Sequence, residues 1–293
     1  MPKNINGIVN KRDKGYIITD RKTGDIMEKR LLIFNGDHAW HCREKTVGKT
    51  EESILVWREN YLEGPLPAEG DIAAFERCRA AFLHTCVPEY SEERLFASLM
   101  GNHSMLQKFD SPECEIILYF DCCMYDMIML SRIVSLLKES QALIRLFCED
   151  VILSGAPWVF RKEYSSLREL TSEDKEVYAH TWASVLGGAE AVAEFNRRDV
   201  AAGEPFLKCA MERYAEDHPC DNSMGRSRRQ LVEIVRSGIS AFPEIFKSFD
   251  KYETYMFMGD TTCLRLLEDL VRKGVIRKQP PAEQGEYPSF FPK

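Results

Sequence analysis

The feature that most constrains this chain is an alternation. Four short apolar runs, Leu31 to Phe34, Ser53 to Trp57, Glu115 to Phe120 and Leu143 to Cys148, are separated by segments with helical spacing. Short runs that are apolar almost throughout suit strands buried on both faces, as parallel strands are. Between them, Ile72, Phe75, Arg79 and Phe82 mark one helix. Leu95, Leu99 and Leu106 mark a second, with Ser91 as N-cap and Glu92 and Glu93 in its first turn. Met127, Leu130, Val134 and Leu137 mark a third. Strands alternating with helices imply parallel crossovers, so residues 31–155 are expected to form an α/β domain with an open, mainly parallel, Rossmann-like sheet.

Beyond Pro157 the strand signals largely stop, and residues 156–278 read as a mainly helical C-terminal domain. Thr171-Ser172-Glu173-Asp174 resembles a capping box opening a helix that Gly187-Gly188 stops. Further helices are expected from Ala189 to about Arg197, from Pro205 as first residue, from Arg226 to Arg236, and from Cys263 to Arg272 capped by Asp260 or Thr261. Residues 1–30 carry eight Lys or Arg against four acids with little apolar periodicity, and read as a flexible basic leader. Tyr16 to Thr19 is the one stretch there suited to a short edge strand. Residues 279–293, around Pro280-Pro281, read as a loose tail.

Composition excludes several classes. A net charge of -7 argues against a nonspecific nucleic-acid coat. No apolar run approaches the roughly 20 residues that span a bilayer, and nothing at the start resembles a signal peptide, so a cytoplasmic protein with no membrane partner is expected. The ten cysteines are scattered without paired CxxC knuckles, so no metal site is assigned. His38 and His41 beside Cys42 lack a distant fourth ligand. Cys122 and Cys123 read as buried thiols. P-loop, GxSxG and full GxGxxG patterns are missing, and the residues name neither a cofactor nor a catalytic set.

In an open parallel sheet, ligands bind beyond the carboxyl ends of the strands. Three polar motifs fall at such ends: Asn35-Gly36-Asp37; Trp57-Arg58-Glu59 leading to Glu63-Gly64-Pro65; and Phe120-Asp121 with Asp126 further on. Gly36 allows close backbone approach, Arg58 offers a fork for phosphate or carboxylate, and Asp37, Glu59, Asp121 and Asp126 offer carboxylates. Asp37, Arg58, Glu59 and Asp126 are expected to face one crevice. The structural alternative is a closed network of caps and ion pairs with no room for a guest.

These motifs, in this order, resemble the bacterial domain-of-unknown-function family eighteen-thirty-five joined to its C-terminal companion, thirty-six-fifty-eight. The first is matched by Gly36-Asp37, by Trp57-Arg58-Glu59 with Gly64-Pro65, and by Tyr119-Phe120-Asp121 with Tyr125-Asp126. Cys123 and Met127 depart from the aspartate and glutamine usual there. The companion is matched by Trp182, Pro205-Phe206-Leu207, the segment Asn222 to Gln230, and Phe257-Met258-Gly259-Asp260-Thr261, with Arg228 in place of an acid. The resemblance implies a shared fold and no particular activity.

Three functional readings follow. The leading one is a site for a small phosphorylated or nucleotide-like ligand at the carboxyl edge of the sheet. The second is nucleic-acid binding or transcriptional regulation through Arg226, Arg228 and Arg229, since residues 222–247 hold five Lys or Arg against two acids. The third is a non-enzymatic adaptor scaffold.

Overall fold

A computed structural model describes residues 29–68, 70–149, 167–251, 253, 258–281 and 287–293. The expected leader (apart from Lys29 and Arg30), Tyr16 to Thr19, Pro157 and Phe257 lie outside the described residues. The architecture is α/β. A five-stranded sheet has the order β2-β1-β3-β4-β5, with β1 (Lys29–Phe34), β2 (Ser53–Val56), β3 (Cys114–Asp121) and β4 (Leu143–Glu149) parallel. The two-residue β5 (Arg168–Glu169) adds antiparallel to the β4 edge. β1 begins at Lys29, so the last two residues assigned to the leader belong to the sheet, where Arg30 pairs with Glu115.

The alternation of strand side chains divides the sheet's faces. Leu31, Ile33, Leu55, Ile116, Leu118, Phe120, Ile144 and Leu146 point into the larger core. Leu32, Phe34, Ile117, Tyr119 and Phe147 point to the opposite face, where α1 (Asp37–Val47) contributes Ala39 and Trp40. The larger face is covered by α2 (Ile72–Cys86), α3 (Glu92–Lys108) and α4 (Met124–Leu136). Asp71 caps α2 and Ser91 caps α3 through their side chains.

The helices after β5 are α5 (Ser172–Leu186), α6 (Ala189–Arg197), α7 (Pro205–Asp217), α8 (Arg226–Arg236), α9 (Phe242–Asp250) and α10 (Asp260–Arg272). Thr171 and Asp174 close the capping box reciprocally, and Pro205 opens α7. The cores divide the chain later than composition suggests. Tyr178, Trp182, Val192, Phe195, Leu207 and Met211 of α5 to α7 complete the α/β core, with Trp182 edge-on to Tyr61 and Phe75. A second core is built by Leu231, Val235, Ile245, Phe249, Leu267 and Leu270 of α8 to α10. It also takes Ile276 and Phe290, because β6 (Ile276–Gln279) and β7 (Ser289–Pro292) pair antiparallel. The end of the expected loose tail is thus a packed strand. A turn near residues 218–225 separates these two cores.

Candidate functional site

The order β2-β1-β3 places the topological switch point between the carboxyl ends of β1 and β3, where an open sheet leaves a crevice. Here that crevice is occupied by side chains. Asp126 lies in the first turn of α4 and is buried; its Oδ2 accepts from the Asp121 amide at 2.9 Å and from Asn35 Nδ2. The Asp121 carboxylate accepts from the Cys123 amide at 3.1 Å. Burial, then the nearby Asp121 carboxylate, push the Asp126 carboxyl up to about 8. Burial also raises the Cys123 thiol, consistent with an inert, packed cysteine.

The other expected site residues part company. Arg58 reaches out and forks onto Asp37 at 2.7 and 2.8 Å, with both side chains more than half exposed. The Arg58 hydrogen bond holds the Asp37 carboxyl below the ordinary carboxylate range. Gly36, N-terminal to Asp37, has φ +150° and open space about its Cα. Glu59 turns the other way. It receives the Arg79 fork at 2.7 and 3.2 Å, with both side chains fully buried. Arg79 also donates to the carbonyls of Asn60, Glu63 and Pro65, so a guanidinium from α2 holds the loop after β2 in shape. Asp37, Arg58, Glu59 and Asp126 therefore occupy three separate surroundings. The single crevice expected of them is not formed, because neighbouring residues 58 and 59 leave the strand end in opposite directions. Asp37 and Arg58 border only an open groove with Leu83, Tyr90, Arg94 and Leu99.

Arg226, Arg228 and Arg229 are engaged by neighbouring helices and by the loop before α8. Arg226 pairs with Glu216 at 2.7 Å, Arg228 with Asp269 at 3.1 Å, and Arg229 donates to the Met224 carbonyl. The loop before them is shaped by sterics. Asn222 has φ +57°, which asparagine tolerates, and a Cβ on Gly225 would overlap the Asp217 carbonyl. Among the described residues no group of three His, Cys, Asp or Glu is arranged to hold a metal. His38 Nε2 lies 3.5 Å from Cys42 Sγ.

A second cleft lies elsewhere on the same edge of the sheet. Its volume is about 550 Å³, within the range of small-molecule sites. Met124 and Tyr125, which open α4 directly after β3, place it at the carboxyl end. Leu62, Glu63 and Gly64 from the loop after β2 and Phe82 and Cys86 from α2 form one wall. Ser227 and Arg228 of α8, Phe249, Met258, and Thr262, Arg265 and Asp269 of α10 form the other. The two cores meet here, and Tyr125 packs against both. Gly64 has φ +76° and its Cα lies against the Phe82 ring, so no larger residue fits there.

Two polar networks set the geometry. Glu63 Oε1 accepts from Thr262 Oγ1 at 2.8 Å and from Arg265 Nη2 at 2.7 Å, tying the walls together. Deeper, the buried Arg213 forks onto Glu253 at 3.0 and 3.1 Å and donates to Ser227 Oγ at 2.7 Å. Asp217 accepts from the Ser227 amide and hydroxyl at 2.6 and 2.7 Å. Arg213 Nη1 lies 2.9 Å from Asp217 Oδ1 yet makes no well-aligned hydrogen bond, so this contact is electrostatic. Arg213, Thr262 and Arg265 carried no sequence signal of a site. Arg213 stands beside the apolar stripe of α7, and Glu63 lies about two hundred residues from its partners. No protein-family model matches the chain, and no curated protein matches it.

Proposed function

We propose that this chain binds a small molecule in the cleft where its two cores meet. One observation carries the reading. Segments noted separately in the two halves, Glu63-Gly64, Tyr125, Arg228 and Met258, come to line one cavity at the carboxyl end of β3. Packing alone does not require such segments to surround open space, since α4 already packs against α5 and α7. The ligand class in best accord with the guanidinium groups of the wall is a phosphorylated or nucleotide-like molecule. The groove beside Asp37 and Arg58 is the weaker candidate, because none of its charged groups is buried. The pairing of Arg226 and Arg228 with acids of the same half leaves nucleic acid without a specific observation in its favour. The motif resemblance to families eighteen-thirty-five and thirty-six-fifty-eight is carried forward as a proposal of shared ancestry, and no reaction is assigned.

The test is native mass spectrometry of the full chain purified from its own host. A retained small molecule is expected. Thr85→Trp, which fills the cleft from α2, is expected to abolish retention while leaving the far-ultraviolet circular dichroism unchanged. No retained mass, or retention unaffected by Thr85→Trp, overturns the reading.

A further inference from the structure

The arginines of the cleft are already matched by carboxylates of the protein. Arg213 is held by Glu253, Arg265 by Glu63, and Arg228 and Arg272 by the one carboxylate of Asp269. His218, which directly follows α7 and lines the same cleft, is different. Its Nδ1 lies 3.1 Å from the Tyr214 carbonyl oxygen, one turn back on the helix. A carbonyl oxygen only accepts, so Nδ1 carries the proton and Nε2 of the neutral ring presents a lone pair. Among the described residues nothing partners Nε2, and the atom is not sealed from solvent. The ring is held in place by its stack on buried Tyr214, with centroids 4.1 Å apart and planes inclined by 19°. Burial, with the Arg228 and Arg213 charges, holds the imidazole below its ordinary value of 6.5, against the Tyr214 bond and the Asp217 carboxylate. The neutral ring is therefore the form present near pH 7.

We infer that Nε2 of His218 accepts a hydrogen bond from the molecule held in the cleft, which presents a hydroxyl or an N–H there. The acceptor is set before the molecule arrives, because the Tyr214 carbonyl fixes the tautomer and the Tyr214 ring fixes the plane. Using it breaks no ion pair, whereas each arginine of the cleft must first share a carboxylate it already holds. His218 is a binding residue in this reading, and no proton transfer is assigned to it. The inference rests on the cleft being the binding site, and it adds the residue that reads the molecule and the chemical group it reads.

The experiment follows the mass retained in native spectra by the full chain and by two variants, each made in the protein's own host and dialysed alike. His218→Phe keeps a ring to stack on Tyr214 and removes both nitrogens, whereas His218→Gln offers an amide oxygen as acceptor. The dissociation constant read from serial dilution should rise about tenfold in His218→Phe, the loss of one hydrogen bond. His218→Gln should recover most of that loss. The parent should hold its molecule evenly from pH 8 down to 6.5 and release it at lower pH, because protonation turns Nε2 into a donor. His218→Gln should lack that fall. Retention in His218→Phe equal to the parent's overturns the inference and leaves the cleft reading standing. Equal loss in both variants, with far-ultraviolet circular dichroism unchanged, shows a packing role and overturns it too. If His218→Phe does not fold, the pH profiles of the parent and His218→Gln decide, and parallel profiles overturn the inference. No retained mass in the parent removes the cleft reading and this inference with it.

Discussion

Replacing Asp126 by asparagine is expected to stabilise the protein, increasingly so as the pH rises. In the folded chain the buried carboxyl holds its proton to about pH 8, against an ordinary value of 3.8. Between those limits the folded state binds one proton more than the unfolded state. The group's stabilising contribution is therefore complete below pH 3.8 and is lost as the pH rises through about 8, at about 1.4 kcal/mol per pH unit. Asparagine does not titrate, and its side-chain oxygen accepts the same bonds from the Asp121 amide and Asn35 Nδ2. The difference in unfolding free energy between Asp126→Asn and the parent should therefore rise by about 4 kcal/mol from pH 5 to pH 8 and level off above it. Urea titrations followed by circular dichroism at pH 5, 6, 7, 8 and 9 measure this directly. Other titrating groups, Glu204 and His218 among them, cancel in the difference. A gap constant within about 0.5 kcal/mol over that window, or one that narrows, refutes the picture of a neutral carboxyl wedged at the switch point.

Further outcomes follow from contrasts within the structure. Glu59→Leu strands the buried Arg79 charge and should cost about 3–5 kcal/mol, whereas Asp37→Ala breaks an exposed pair and should cost no more than about 1 kcal/mol. Equal losses in urea melts would contradict the separation of the two pairs. Phe290→Ala should cost about 3–5 kcal/mol by emptying a fully buried position in the second core, and an unchanged thermal midpoint would show that β7 is not part of it. Gly101→Ala lies within α3 with nothing near the added methyl, and should raise stability by about 0.5–1 kcal/mol; a loss would mean that face of α3 is covered.

Local patterning determined much of this protein. Runs such as Leu31 to Phe34 declare strands buried on both faces, and the observed parallel sheet follows from alternating them with helices. Thr171 with Asp174, Ser91 and Pro205 mark helix starts because capping is a contact between near neighbours, visible at short range. The helix Phe242–Asp250 and the pair β6–β7 were not legible, being short elements stabilised by long-range burial of Phe249, Ile276 and Phe290. Periodicity reveals that a face is buried but not what buries it. For that reason α5 to α7 read as the start of a helical domain, while Trp182 in fact completes the α/β core beside Tyr61 and Phe75. The same reason governs the candidate site. Sequence proximity joined Arg58 to Glu59, but the first faces solvent with Asp37 and the second faces Arg79 inside. Glu63 meets Thr262 and Arg265 across about two hundred residues, a contact made by the docking of two cores rather than by any local pattern.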